Sequence, residues 1–115
     1  MQKKAFTFNT HQETIAGTIL YKDEANSHAN FVFFHGGAGN KERIYSIISP
    51  VVDKGTGVLT IDFSGHGESS GHLKKSSLKK RTEEAKTAID IFAKNDDSLT
   101  ICGASMGGYT AIKML

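Results

Sequence analysis

Hydrophobic residues fall into two kinds of pattern along this chain, and their alternation predicts its elements. Residues 4–8 (Lys-Ala-Phe-Thr-Phe) and 14–21 (Thr-Ile-Ala-Gly-Thr-Ile-Leu-Tyr) are alternating or β-rich, with a polar stretch over 9–13 between them. The pair reads as an antiparallel hairpin at a sheet edge. Beyond a polar loop over 22–30, Phe31-Val32-Phe33-Phe34 is a continuous apolar run, repeated by Val58-Leu59-Thr60-Ile61 and Leu99-Thr100-Ile101-Cys102. Such runs suit strands buried on both faces, as in a parallel sheet covered by helices.

Between these runs the period changes to that of a helix. Ile44, Ile47, Ile48, Val51 and Val52 share one face, and Lys54-Gly55 ends the segment. Pro50 leaves two readings: inside a helix it removes the bond to Ser46, whereas with Ser49 as N-cap it starts a short helix of its own. A second helix is predicted from about Ser77 to Lys94, burying Leu78, Ala85, Ala88, Ile89 and Phe92, and 95–98 returns the chain to the next strand. Strand and helix thus alternate three times. With right-handed crossovers this predicts one three-layer α/β domain over residues 1–115, its sheet mostly parallel with an antiparallel N-terminal edge. Functional loops then lie at the carboxyl ends of the parallel strands.

Composition narrows the class of protein. The 115 residues are 38 % hydrophobic and 23 % charged, the profile of one soluble globular domain, and a net charge of +2 gives no footing for nucleic acid. No run approaches the roughly 18 apolar residues of a membrane span. Two lysines near the N-terminus have no apolar stretch behind them, so no secretory signal is expected and the location is read as cytoplasmic. Cys102, the single cysteine, is read as a packed core thiol. The basic run from Lys74 to Arg81 reads as a solvated helix start compensated by Glu83 and Glu84, because no aromatic residues are interleaved.

Chemistry concentrates where three strands end. The segments are His35-Gly36-Gly37-Ala38-Gly39-Asn40, then Asp62 to Gly71, then Gly103-Ala104-Ser105-Met106-Gly107. The last reads as a strand, a sharp turn and the opening of a helix, which is the setting of a nucleophile elbow. A serine lifted out of such a turn needs residues without a Cβ two before and two after, and Gly103 and Gly107 supply them. The helix begins almost at the serine, so unpaired backbone amides and the positive end of the dipole face a developing oxyanion. Ser105 is the candidate nucleophile. Gly37, in a loop where an amide can approach a ligand unobstructed, is the candidate oxyanion donor beside Met106.

Competing chemistries fit these segments poorly. A Walker loop needs Gly-Lys-Ser/Thr where Asn40-Lys41-Glu42 stands, and a dinucleotide fingerprint from Gly37 needs glycine at Glu42. Gly65-His66-Gly67 has Ser70 in the place of a third glycine. His66 and His72 lie six apart on a loop without a third ligand, so neither metal nor cofactor is expected.

These three loops, in this order and spacing, resemble the N-terminal half of an α/β-hydrolase. The likeness runs from about Thr14 to the last residue and is greatest to small serine esterases and serine aminopeptidase-like members, including feruloyl esterases. It implies Ser105 as nucleophile, Gly37 and Met106 as the oxyanion hole, and Asp62 with Ser69 as stabilisers of the turn after their strand. In that family an acid and then a histidine follow the serine, and neither follows before Leu115. Of the histidines present, the resemblance makes His35 structural, while His66 and His72 sit on the second loop and His11 and His28 near the edge; none is expected to be the base. The implied activity is acyl-enzyme hydrolysis of carboxylic esters, thioesters or short peptides, without nucleic acid or membrane as partner. The truncated domain alone is expected to be inactive and to associate through the open edge of 99–102. A non-catalytic α/β module and a nucleotide-binding domain are the other classes.

Overall fold

The two N-terminal runs pair as an antiparallel hairpin, longer than the alternation alone predicts: β1 spans Gln2–Thr10 and β2 spans Glu13–Tyr21. The structure, a computed structural model, describes residues 1–10, 13–24, 29–36, 40–72, 75, 77–93, 99–104 and 106–114, with the side chains of 42, 43, 106, 109 and 114 left aside. Phe6 lies opposite Gly17, where a Cβ would strike its ring, so the glycine leaves room for Phe6 to stack on Phe92 at 3.7 Å between centroids.

Three short strands complete the sheet: β3 (Phe31–Phe34), β4 (Val58–Ile61) and β5 (Thr100–Gly103). The strand order is β1-β2-β4-β3-β5, antiparallel as far as β4 and parallel from β4 through β3 to β5. The chain leaves β3 through α1 (Tyr45–Asp53) to reach β4 on one side, then returns through α2 (Leu78–Phe92) past β3 to β5 on the other. Reversing the direction of a right-handed crossover reverses the face it covers. Accordingly Ile48 and Val52 of α1 pack with Leu20 and Val58 in one core, while Ala85, Ala88 and Ile89 of α2 pack with Val32, Phe34 and Ile61 in the other. Ala111 of α3 (Met106–Met114) joins the second core. Consecutive residues Ile19 and Leu20 serve opposite faces, as a strand of period 2 requires.

Local corrections follow from packing. Pro50 lies inside α1, and the Ser49 hydroxyl donates to the Tyr45 carbonyl at 2.8 Å, so Ser49 is no N-cap. A 3₁₀ turn over Lys41–Ile44 precedes α1 and shifts its register, leaving Ile44, Ile48 and Val52 buried but Ile47 62 % exposed. The Gly55 amide, at φ 96°, donates to the Val52 carbonyl at 2.9 Å and closes the helix. On α2, the Ser77 hydroxyl caps by accepting from the Lys80 amide at 3.1 Å. Leu78 and Phe92 are half-buried rather than core, while Thr82 and Glu84 are buried. The turn read over 95–98 and Lys94 lie outside the described residues.

The apolar runs also differ in depth. β4 is buried throughout, β3 alternates between buried and half-buried, and β5 runs from exposed to half-buried. β5 is an edge strand among the described residues, so Cys102 is a half-buried thiol and not a core one. No helix among the described residues is long and apolar enough to cross a membrane.

Candidate active site

The sharp turn between β5 and α3 seats on the carboxyl end of β3. The Ala104 amide donates to the Phe34 carbonyl at 3.1 Å, and the Gly107 amide donates to the Ala104 carbonyl at 2.9 Å. A Cβ on Gly103 would overlap the backbone carbonyl of Gly107, and a Cβ on Gly107 would overlap the carbonyl oxygen of Phe34. Both glycines are therefore demanded by close backbone approach, the reason for which the sequence pattern selects them. Ser105 and Gly37 lie outside the described residues. Met106 opens α3, so its amide is among those at a helix start that have no intrahelical acceptor.

His35 opens the segment that follows β3. It is buried, its Nε2 accepts from the Phe63 amide at 3.1 Å, and its Nδ1 donates to the Gly36 carbonyl at 2.6 Å. The Phe63 bond needs an unprotonated Nε2, and burial pushes the imidazole below its usual range, favouring that neutral form. The His66 ring packs 4.9 Å away and donates from Nδ1 to the Ser64 carbonyl at 3.0 Å, while its buried Nε2 has no partner among the described residues. His72 is exposed. Among the described residues no three His, Cys, Asp or Glu side chains gather as metal ligands.

The second loop is organised by Asp62. Its buried carboxylate accepts from the Lys41 amide at 2.7 Å and Lys41 Nζ at 2.8 Å, and from the Glu68 amide at 2.9 Å. The Ser69 hydroxyl donates to the Asp62 carbonyl at 2.5 Å, in keeping with the turn-holding role inferred from resemblance. Gly67, at φ +49°, has the carboxylate where a Cβ would stand. Lys41 is a participant the sequence reading missed. Burial alone would lower its pKa, but hydrogen bonds from its ammonium to Asp62 and to Glu68 (2.9 Å) outweigh that and raise it, so it is charged. Its only sequence signal is a basic residue immediately after the glycine-rich loop.

Glu84 does more than compensate the basic run: it acts electrostatically on Lys80 and Arg81, yet it is buried, reaching from α2 to accept from the Ser64 amide at 2.8 Å through Oε1. Burial raises its pKa against the opposing effect of that bond, and Oε2 has no partner among the described residues. Of the basic run, Lys80 pairs with Glu13 at 3.3 Å, and Glu13 also accepts from the Ser70 hydroxyl at 2.7 Å. A separate groove of about 490 Å³ runs beside β1 and β2, lined by Lys3, Thr7, Thr18 and Tyr45 as well as Lys41 and Glu68. Among the described residues, none from the β3 or β5 ends lines it.

The sequence profile of the family described as serine aminopeptidase, S33, matches residues 25–115, which contain all three loops. The chain belongs to this family of α/β hydrolases. Among curated relatives of this serine aminopeptidase family member, uncharacterized protein YfhR of Salmonella typhi is 30 % identical over 91 residues, 76 % of this chain and 30 % of that protein. Its Salmonella typhimurium counterpart is 29 % identical over the same length. Among solved structures, a putative hydrolase from Agrobacterium vitis superposes with a TM-score of 0.78 at 22 % identity, covering 98 % of this chain and 44 % of that one. Est1E from Butyrivibrio proteoclasticus, solved with ferulic acid bound, gives 0.76 at 22 % identity over 96 % of this chain and 46 % of its own. These likenesses establish an α/β-hydrolase fold. The chain spans 30 % of the YfhR proteins and under half of those two structures.

Proposed function

We propose that the whole protein is a serine hydrolase of carboxylic esters, with Ser105 as nucleophile and the backbone amides of Gly37 and Met106 as oxyanion donors. The carrying observation is the contact of Gly107 with the Phe34 carbonyl, which joins the start of α3 to the end of β3. That junction supports the reading, because an oxyanion hole of this kind draws one donor from each of the two segments it joins. Short peptides and thioesters undergo the same acyl transfer, and the ferulic acid held by Est1E favours esters among them.

In the proposed reaction Ser105 Oγ attacks the ester carbonyl carbon while its proton passes to a histidine contributed beyond Leu115. The carbonyl π pair moves onto oxygen, which accepts from the Gly37 and Met106 amides. Collapse breaks the bond to the alkoxy group, and the histidine returns the proton to the departing alcohol. Water then attacks acyl-Ser105 by the same route in reverse, releasing the carboxylic acid and restoring the hydroxyl.

The test uses the protein at the length of its relatives, a fluorophosphonate probe and p-nitrophenyl acetate. Labelling at Ser105 is expected, and Ser105→Ala should lower kcat by on the order of 10⁶ with the fold intact. A variant keeping a tenth of the activity would overturn the assignment.

A further inference from the structure

Two residues of the second loop hold both described ends of the segment that carries Gly37. At its start, His35 Nε2 accepts from the Phe63 amide at 3.1 Å; immediately past its end, Lys41 gives its amide to Asp62 Oδ1 at 2.7 Å and its ammonium to Oδ2 at 2.8 Å. The two anchors thus fall on consecutive residues, Asp62 and Phe63. Both are rigidly kept: Asp62, Phe63, His35 and Lys41 are all buried, and the Glu68 amide and Gly67 close around the same carboxylate. From the other side, the β5–α3 turn fastens to Phe34, one residue before His35, through the Ala104 amide.

We propose that Lys41 and His35 are positioning residues for the reaction, fixing the ends of the 36–40 segment on Asp62–Phe63 so that the Gly37 amide keeps its place relative to Ser105. This rests on the functional reading above. An ion pair is an unusual device here, because burying Lys41 and Asp62 costs desolvation that a hydrophobic pair would avoid. What the pair supplies is direction: one carboxylate with two oxygens receives both the main chain and the side chain of the same residue. That geometry sets where residue 41 lies and which way its peptide runs. Placement of an oxyanion donor is a transition-state effect, so disturbing it lowers kcat and leaves KM nearly unchanged.

The experiment measures steady-state hydrolysis of p-nitrophenyl acetate and urea unfolding in the protein at its relatives' length, with Ser105→Ala as reference. Lys41→Gln retains a donor to Asp62 but no charge, and His35→Asn retains a donor to Gly36 but cannot reach Phe63. Each is expected to lower kcat by about 10- to 100-fold with KM within about twofold, the scale of a donor displaced by an ångström. His35→Gln places an amide oxygen where Nε2 stood and should recover most of the rate. If Lys41→Gln does not fold, the His35 pair still decides. Unchanged kcat in folded His35→Asn, or a loss matched by the unfolded fraction that His35→Gln fails to recover, would overturn the positioning role while leaving Ser105 in place. Activity that persists in Ser105→Ala would instead remove the functional reading, and the positioning role with it.

Discussion

Gly107 lies against the carbonyl oxygen of Phe34 with no space between them for a side chain. Gly108, its neighbour on α3, has among the described residues nothing closer than the Gly103 carbonyl oxygen at 3.4 Å from the place of a Cβ. Two adjacent glycines in one helix therefore make opposite predictions. Gly107→Ala forces backbone apart at the β3–α3 junction and should cost about 3 kcal/mol or more. Gly108→Ala meets only ordinary contact and gains up to about 1 kcal/mol of helix propensity. Urea unfolding of the two variants side by side checks this, and equal midpoints would show that the junction is looser than the geometry states.

For the proposed oxyanion donor, the expected result is a loss of rate in a folded protein. Gly37→Val puts a branched side chain beside the amide that would receive the substrate oxygen, so kcat should fall by on the order of 10²-fold, the scale of one lost donor. Full kcat in this variant would move the donor elsewhere in the loop.

Glu84 gives the protein a pH dependence of defined sign. Its pKa is raised by burial above the ordinary 4.5, so the folded protein holds a proton that the unfolded chain releases. Its contribution to stability is full below about pH 4.5 and is lost as pH rises through the folded value, by up to ~1.4 kcal/mol per unit. His35, lowered by burial from 6.5, acts oppositely, its contribution being lost as pH falls below 6.5 toward the folded value. Glu84→Gln removes only the first dependence. The stability of the variant minus that of the parent should therefore rise with pH from about 4.5 and then level; a difference flat in pH would show that Glu84 is ionised in the folded protein.

How much of this could be read from sequence divides along physical lines. Backbone demands are legible: a strand-turn-helix needs Gly103 and Gly107, and the contacts at Gly107 and Phe34 bear that out. The alternating runs gave the hairpin and the order of elements because period reports burial directly. Contacts between distant segments were not legible. Lys41 meets Asp62 across 21 positions and Glu84 meets Ser64 across 20, and no local pattern marks a charged residue as buried. Glu84 looked like surface because it follows Glu83 in a charged stretch, yet it lies one position before the buried Ala85. Ile47 departs from the buried face because a 3₁₀ turn ahead of α1 changes the register that a pure 3.6 period assumes.

The open strand gives the last prediction. Among the described residues β5 pairs with β3 alone, and its other edge carries Thr100, Ile101, Cys102 and Gly103, without a charge to discourage pairing. Ile112 on the following helix is 69 % exposed, adding apolar surface. The 115 residues by themselves should therefore form dimers or larger species in light scattering at concentrations on the order of 100 μM. Thr100→Lys, placing a charge at an exposed edge position, should shift them toward monomer with unchanged helical content. Hydrolysis of p-nitrophenyl acetate by the same 115 residues is expected at background, since a serine hydroxyl without a base is a weak nucleophile and both ring nitrogens of His35 are held by backbone. A monomer with Ser105-dependent saturation kinetics would overturn both expectations and turn attention to His66, whose Nε2 is unpartnered among the described residues.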